Sequence, residues 1–343
     1  MTEHTTTTLE LAERPSGPDE RDSLTVVGNA TTVLHCGGIT VLTHPVFVHR
    51  HEEVDIGYGM HARRLLDPAL EFDDLPPVDL VVLSHLHGDH FDQVARDRLS
   101  RDLPILTTAE AAETLREWGF RAVHGMETWD VVRVVRGEEQ LEVTAVPARH
   151  GPPGANLVLP DVMGSVLEWS SAGRRHGLYV TGDTLVIDEL AEVQERWPEL
   201  DVGLWHLGGT RVLGVLVTMD ADQGVELMRR VRPRRVVPVH HADFDVFTSS
   251  LEDFLEAAEE AGVRDRVAVV PRGGRSRVAP ETPGAGEDTV EAGAATMPSD
   301  DLPGGGHEQT QPLAPDGTPT PIDDEGALLP PTEEQLPPGG PLR

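Results

Sequence analysis

The stretch Ser84-His85-Leu86-His87-Gly88-Asp89-His90-Phe91-Asp92 constrains this chain more than any other. It follows directly on residues 78–83, which are apolar apart from Asp79 and read as a buried strand. Three imidazoles and carboxylates crowded at the end of such a strand are costly to desolvate unless they bind something. Imidazole nitrogen together with carboxylate oxygen suits zinc, iron or manganese. In an extended segment residues two apart share a face, so His85 and His87 can chelate one ion. Gly88 permits a turn, after which Asp89 and His90 face a second position. One histidine alone is ordinarily a satisfied core or surface residue; four candidate ligands in this order point to metal.

Later segments repeat the theme. Val146-Pro147-Ala148-Arg149-His150 leaves a strand with His150 at its exit, and Gly182-Asp183 follows the apolar run 178–181. Val236-Val237-Pro238-Val239 ends in the pair His240-His241. Any one of these reads equally well as a turn or a cap. Together they place a metal-compatible side chain wherever a buried strand opens to solvent.

The rest of the chain sets the frame. Short β-rich runs at 24–27, 31–35 and 39–43, with Gly37-Gly38 as a hairpin turn, are followed by a long connection over 44–77. Strands are expected at 78–83, 141–146, 165–169, 178–181, 202–206 and 236–239. Helices are expected at 91–99, 109–118, 189–196, 220–231 and 251–261. Hairpins first and strand–helix units later imply two sheets packed together with helices outside. Residues 1–22 read as a mobile polar arm and 23–275 as one folded domain. From residue 278 onward there are 13 of the 28 prolines, and 13 acidic residues face a single arginine. Residues 276–343 are therefore expected to be a disordered acidic tail.

These four motifs in order, H-x-H-x-D-H, H-G, G-D and P-x-H, resemble the metallo-β-lactamase fold hydrolase superfamily over roughly 23–275. The resemblance implies an α/β fold, a four-layer αβ/βα sandwich of two mixed sheets with a dinuclear site at one edge. By analogy His85, His87 and His150 hold the first metal, Asp89, His90 and His240 the second, and Asp183 bridges them. A finer likeness rests on Gly28-Asn29-Ala30-Thr31-Thr32, Gly37-Gly38, Leu42-Thr43-His44-Pro45, Leu207-Gly208-Gly209-Thr210, Met219-Asp220-Ala221 and Pro238-Val239-His240. It is similar to the branch containing L-ascorbate-6-phosphate lactonase and N-acyl-phosphatidylethanolamine phospholipase D. One position departs from that branch, which usually has aspartate where His44 stands.

The chemistry implied is hydrolysis of a small-molecule ester, lactone or phosphodiester by a hydroxide held between two divalent ions, zinc by default with manganese or iron as substitutes. Asp89 is expected to orient that hydroxide as well as to bind metal. His241 reads either as a proton donor to the leaving group, as the ligand in place of His240, or as a packing residue. The 44–77 connection, with His49, His51, Tyr58, His61, Arg63 and Arg64, reads as a flap whose arginines could clamp an anionic substrate. Thr210 and Arg211 read as a pocket wall. His35, His124, His176 and His206 read as core or surface residues, with His206 at a strand end that can approach the pocket. Cys36 reads as a buried filler.

A formal charge of −31, with all 28 basic residues arginine, argues against nucleic-acid or anionic-membrane partners. One cysteine and no apolar stretch near the start lead to the expectation of a cytoplasmic protein. A nuclease of the same superfamily, and a metal-binding or sensor protein without turnover, are the competing functions.

Overall fold

The computed structural model describes residues 4–14, 22–57, 59–154 and 159–278. Tyr58 and residues 279–343 of the expected tail lie outside them. The first half runs β1 (Thr6–Glu10), β2 (Ser23–Gly28), β3 (Thr31–Cys36), β4 (Ile39–Thr43), β5 (Glu53–Asp55), β6 (His61–Arg63) and β7 (Leu80–Val82). It continues with α1 (Gln93–Arg98), β8 (Ile105–Thr108), α2 (Ala109–Glu117), β9 (Val123–Met126), β10 (Val131–Arg136) and β11 (Glu139–Val146). Next come β12 (Gly164–Ser171), β13 (Arg174–Val180), α3 (Ala191–Arg196), β14 (Val202–His206), β15 (Arg211–Val212) and β16 (Val215–Leu216). The last elements are α4 (Ala221–Val231), β17 (Arg235–Val239), α5 (Leu251–Glu260) and β18 (Arg275–Arg277).

Two seven-stranded mixed sheets form, in the orders β18-β2-β3-β4-β7-β8-β9 and β1-β10-β11-β12-β13-β14-β17. Strand alternation explains the layers. In β7, Leu80 and Val82 join the core between the sheets, while Val81 turns outward to the cluster that α1 and α2 cover. β14 does the same on the other side: Val202 and Leu204 face inward, and Trp205 faces the cluster under α3, α4 and α5. Strands buried on both faces need apolar residues throughout, which is why these runs lack alternation. The result is the expected α/β sandwich, helices outside and sheets within.

Three boundaries differ from expectation. The N-terminal arm contributes β1, which pairs parallel with β10 from Thr6↔Val131 to Glu10↔Val135. Its threonines suit an edge strand, and Leu9 and Leu11 pack against the central core. At the other end β18 pairs with β2, so the folded body continues past residue 275. The 44–77 connection is also partly ordered as the β5–β6 hairpin, packed around Val46, Val48, Val54, Ala62 and Phe244.

The topology fixes where a site can form. β4 and β7 run parallel in one sheet, and β13, β14 and β17 run parallel in the other. Their C-terminal ends line up along edges, where ligands of α/β proteins collect. His44, His85, Asp183, His206 and His240 all lie at or just beyond those ends.

Candidate metal centre

Beyond β7 the chain bends at Ser84 and His85 and still brings His85 and His87 together, with Nε2 of His85 3.1 Å from Nδ1 of His87. His150, beyond β11, completes this group: its ring centroid is 5.2 Å from that of His85 and 5.4 Å from that of His87. A second group joins Asp89, His90 and His240, with His240 Nε2 3.2 Å from Asp89 Oδ2. Asp183 lies between them, its Oδ2 3.3 Å from His90 Nε2 and 4.0 Å from His150 Nε2, its Oδ1 3.6 Å from His240 Nδ1. All seven residues that the sequence singled out as ligands therefore converge. All are buried except His87, which is partly open.

The local backbone is built for this convergence. Gly182 has φ +62°, and a Cβ there would lie 2.6 Å from Ser84 Cβ, so only glycine lets Asp183 approach the motif. His240 takes φ +59° at the end of β17 and donates its backbone N–H to Asn29 O at 3.0 Å. Asn29 in turn donates Nδ2–H to the Asp89 carbonyl at 2.6 Å. Asp92 caps α1 by accepting from Ala95 N at 2.8 Å, and its other oxygen accepts from Phe47 and Val48 N at 2.5 and 2.6 Å. One carboxylate thus anchors both the metal motif's helix and the start of the flap.

Burial pushes the imidazoles of His85, His44 and His206 well below their ordinary range, reinforced by neighbouring histidines. Burial likewise lowers His87 to about 4. Burial opposes ionisation of Asp89, yet His90 and His240 outweigh it and hold the carboxyl at about 2. For His240, burial works against the proton, and Asp183 and Asp89 outweigh it, lifting the group to about 9. Neutral His85 and His87 and ionised Asp89 are in the states that bind cations, and His240 would release its proton on binding one. Asp89 Oδ1, Asp183 Oδ1 and both ring nitrogens of His90 are buried with no hydrogen-bond partner. Such groups are expensive to leave bare, and a bound cation would satisfy them, so the donor set fits a metal pair.

Other expected residues fall elsewhere. Among the described residues His241 joins none of the candidate metal groups. It is half-buried near Glu252 and Arg272, and its pKa falls to about 4, chiefly through burial. Arg64 is no exposed clamp: it is fully buried, with Nη2 3.2 Å from Asp243 Oδ1 and Nε donating to Leu66 O at 2.7 Å. Arg63 stays exposed opposite Glu53, His49 pairs with Glu71, and Arg211 turns toward Asp220. The flap reaches the motif through backbone instead, Gly88 N–H donating to Asp55 O at 2.8 Å. His176 stacks on Trp169, and Cys36 is a core filler, as expected. His206, expected as a core or surface residue at a strand end that can approach the pocket, lies fully buried with His44 and His90 in a third imidazole group.

His87 also lines a groove of about 440 Å³, shared with Leu86, Phe91, Arg96, Trp118 and Pro160. Residues 40–241, more than half the chain, match the family model described as the beta-lactamase superfamily domain. The chain belongs to that family. A relative from Deinococcus radiodurans, named UPF0173 metal-dependent hydrolase, is 30% identical over 230 residues, covering 63% of this chain and 92% of its own. The fold of this superfamily member also recurs in solved structures. A possible metal-dependent hydrolase from Veillonella parvula is similar at TM-score 0.64 and 22% identity, over 74% of this chain and 98% of that one. An isothiocyanate hydrolase from Delia radicum gut bacteria is similar at TM-score 0.63 and 21% identity, with the same coverage. No helix among the described residues is long and apolar enough to cross a membrane.

Proposed function

We propose that this chain is a metal-dependent hydrolase that cleaves a small-molecule ester, lactone or phosphodiester at a dinuclear centre. The observation that carries the reading is Asp183, which lies against both groups of donors while its Oδ1 is buried and unpartnered. His85, His87 and His150 would hold one divalent cation, Asp89, His90 and His240 the other, and Asp183 both. Zinc suits this nitrogen-rich set first, and manganese or iron accept the same donors. When bound, such a pair supplies a water of lowered pKa as nucleophile and stabilises charge on the leaving oxygen.

The chain's own contribution is to aim its donors. The distal nitrogen of His85 meets Ser84 Oγ at 2.8 Å, and those of His150 and His240 meet the carbonyls of Val217 at 2.8 Å and Leu207 at 3.1 Å. Each contact fixes a tautomer and leaves Nε2 to face the cations. Asp89, whose Oδ1 is buried and unpartnered, would orient the attacking water, and we assign His241 no part in the reaction. The groove beside His87 is offered to the organic portion of the substrate, with Leu86 and Trp118 as its apolar wall. The finer branch likeness in the sequence supports lactones and phosphodiesters as the first substrates to try. The strong negative charge disfavours a nuclease.

The test is a panel of chromogenic esters, lactones and phosphodiesters, assayed with metal-loaded and chelator-stripped protein. Turnover of one class, lost on stripping and restored by metal, supports the proposal. Protein that binds two cations and turns over none of the panel would instead favour a metal-binding protein without catalysis.

A further inference from the structure

Three of the histidines assigned above have an oxygen partner on the ring nitrogen away from the cations, and His90 has none. His90 Nε2 faces Asp183 and Asp89, at 3.3 and 3.8 Å, which leaves Nδ1 as its distal atom. Behind it stand two fully buried imidazoles, His44 and His206, with ring centroids 5.0 and 5.9 Å from that of His90. One nitrogen from each of the three rings lies within 4.8 Å of the other two.

The surroundings decide which nitrogens carry protons. His44 Nε2 accepts the Ser84 backbone N–H at 3.2 Å, so its proton is on Nδ1. Thr181 Oγ1 accepts the His206 backbone N–H at 2.9 Å and donates to Leu204 O at 3.4 Å. With the hydroxyl proton on Leu204 O, its remaining contact, to His206 Nδ1 at 3.2 Å, has the ring as donor, and we adopt that tautomer. His206 Nε2 is left as a bare lone pair, buried and without a partner. His44 holds φ +41°, a strained conformation for a non-glycine residue and one kept in place by surrounding contacts.

We propose that His206 is a positioning residue for the second cation: its Nε2 accepts the Nδ1–H of His90, and His44 buttresses the pair. The proposal rests on the reading of His90 as a ligand. A neutral imidazole thus does the backing that hydroxyl or carbonyl oxygens do for the other histidines, leaving the centre without an added negative charge.

The experiment is a titration of chelator-stripped protein with zinc and with cobalt(II), following stoichiometry, the affinity of each step and the cobalt visible spectrum. His206→Leu removes the acceptor and His206→Gln keeps one. Leu should weaken one of the two binding steps by about 10–100-fold and alter its cobalt bands, with Gln restoring most of the loss. Two cations bound by the Leu variant with unchanged affinity and spectrum would overturn the proposal. Wild-type protein that binds no cation would overturn the ligand reading as well. Should the Leu variant not fold, nitrogen-15 spectra of zinc-loaded wild type decide. A downfield, exchange-protected His90 ring N–H beside an unprotonated His206 nitrogen supports the pair, and its absence refutes it.

Discussion

His240 Nε2 lies 3.2 Å from Asp89 Oδ2, across 151 residues of sequence. The contact joins the end of β17 in one sheet to the turn after β7 in the other, so it exists only when the sandwich is assembled. Metal binding and folding should therefore be coupled in this chain.

The coupling has a thermal consequence. Cations at 100 times their dissociation constant add about 2.7 kcal/mol to the folded state. For a body of this size that corresponds to roughly 5–10 °C in Tm. Differential scanning calorimetry with and without chelator should read a fall of that order, reversed by adding zinc.

Asp183→Ala removes the carboxylate that lies against both groups of donors. Metal content should drop by at least one equivalent, and turnover by more than about 100-fold, beyond what outer partners cost. Full metal content together with full activity would remove Asp183 from the site.

The adjacent histidines should separate cleanly. His240→Ala should lose one cation, because its ring sits among Asp89, His90 and Asp183. His241→Ala should keep both, since that ring belongs to no donor group among the described residues. Metal analysis of the two variants checks the assignment.

Asp243 carries a buried ion-pair cluster that ties the flap to the body. It meets the fully buried Arg64 at 3.2 Å and the partly exposed Arg272. Removing Asp243 strands a buried guanidinium, so Asp243→Ala should destabilise by about 3–5 kcal/mol. Arg272→Ala leaves the Arg64 pair intact and should cost less. Urea unfolding of the two variants measures the difference.

If the groove beside His87 receives the substrate's organic part, Trp118→Ala should raise KM more than it lowers kcat. Trp118 touches the groove and the Arg96 guanidinium at 4.3 Å, and it is not among the cation donors. Steady-state kinetics on whichever substrate the panel identifies separates the two effects.

The candidate ligands were legible because their chemistry is local. H-x-H-x-D-H sets two imidazoles on one face and turns the next pair through a glycine, whatever the rest of the chain does. The buried strands were legible because burial on both faces leaves only apolar residues in β7, β14 and β17. β1 was not, since a polar threonine run becomes a strand only when the β10 edge is there to pair with it. Nor was the role of Arg64, whose burial depends on Asp243, 179 residues away. His206 was legible only in part: its strand end marks it as able to approach the pocket, but only the fold sets it behind His90.

The central claim is that seven side chains from both halves of the sandwich hold a pair of cations. Inductively coupled plasma mass spectrometry on dialysed protein tests it directly. The account predicts close to two transition-metal ions per chain, falling to one or none in Asp183→Ala. Wild-type protein that carries no such ion after growth or reconstitution with zinc, manganese or iron would contradict it.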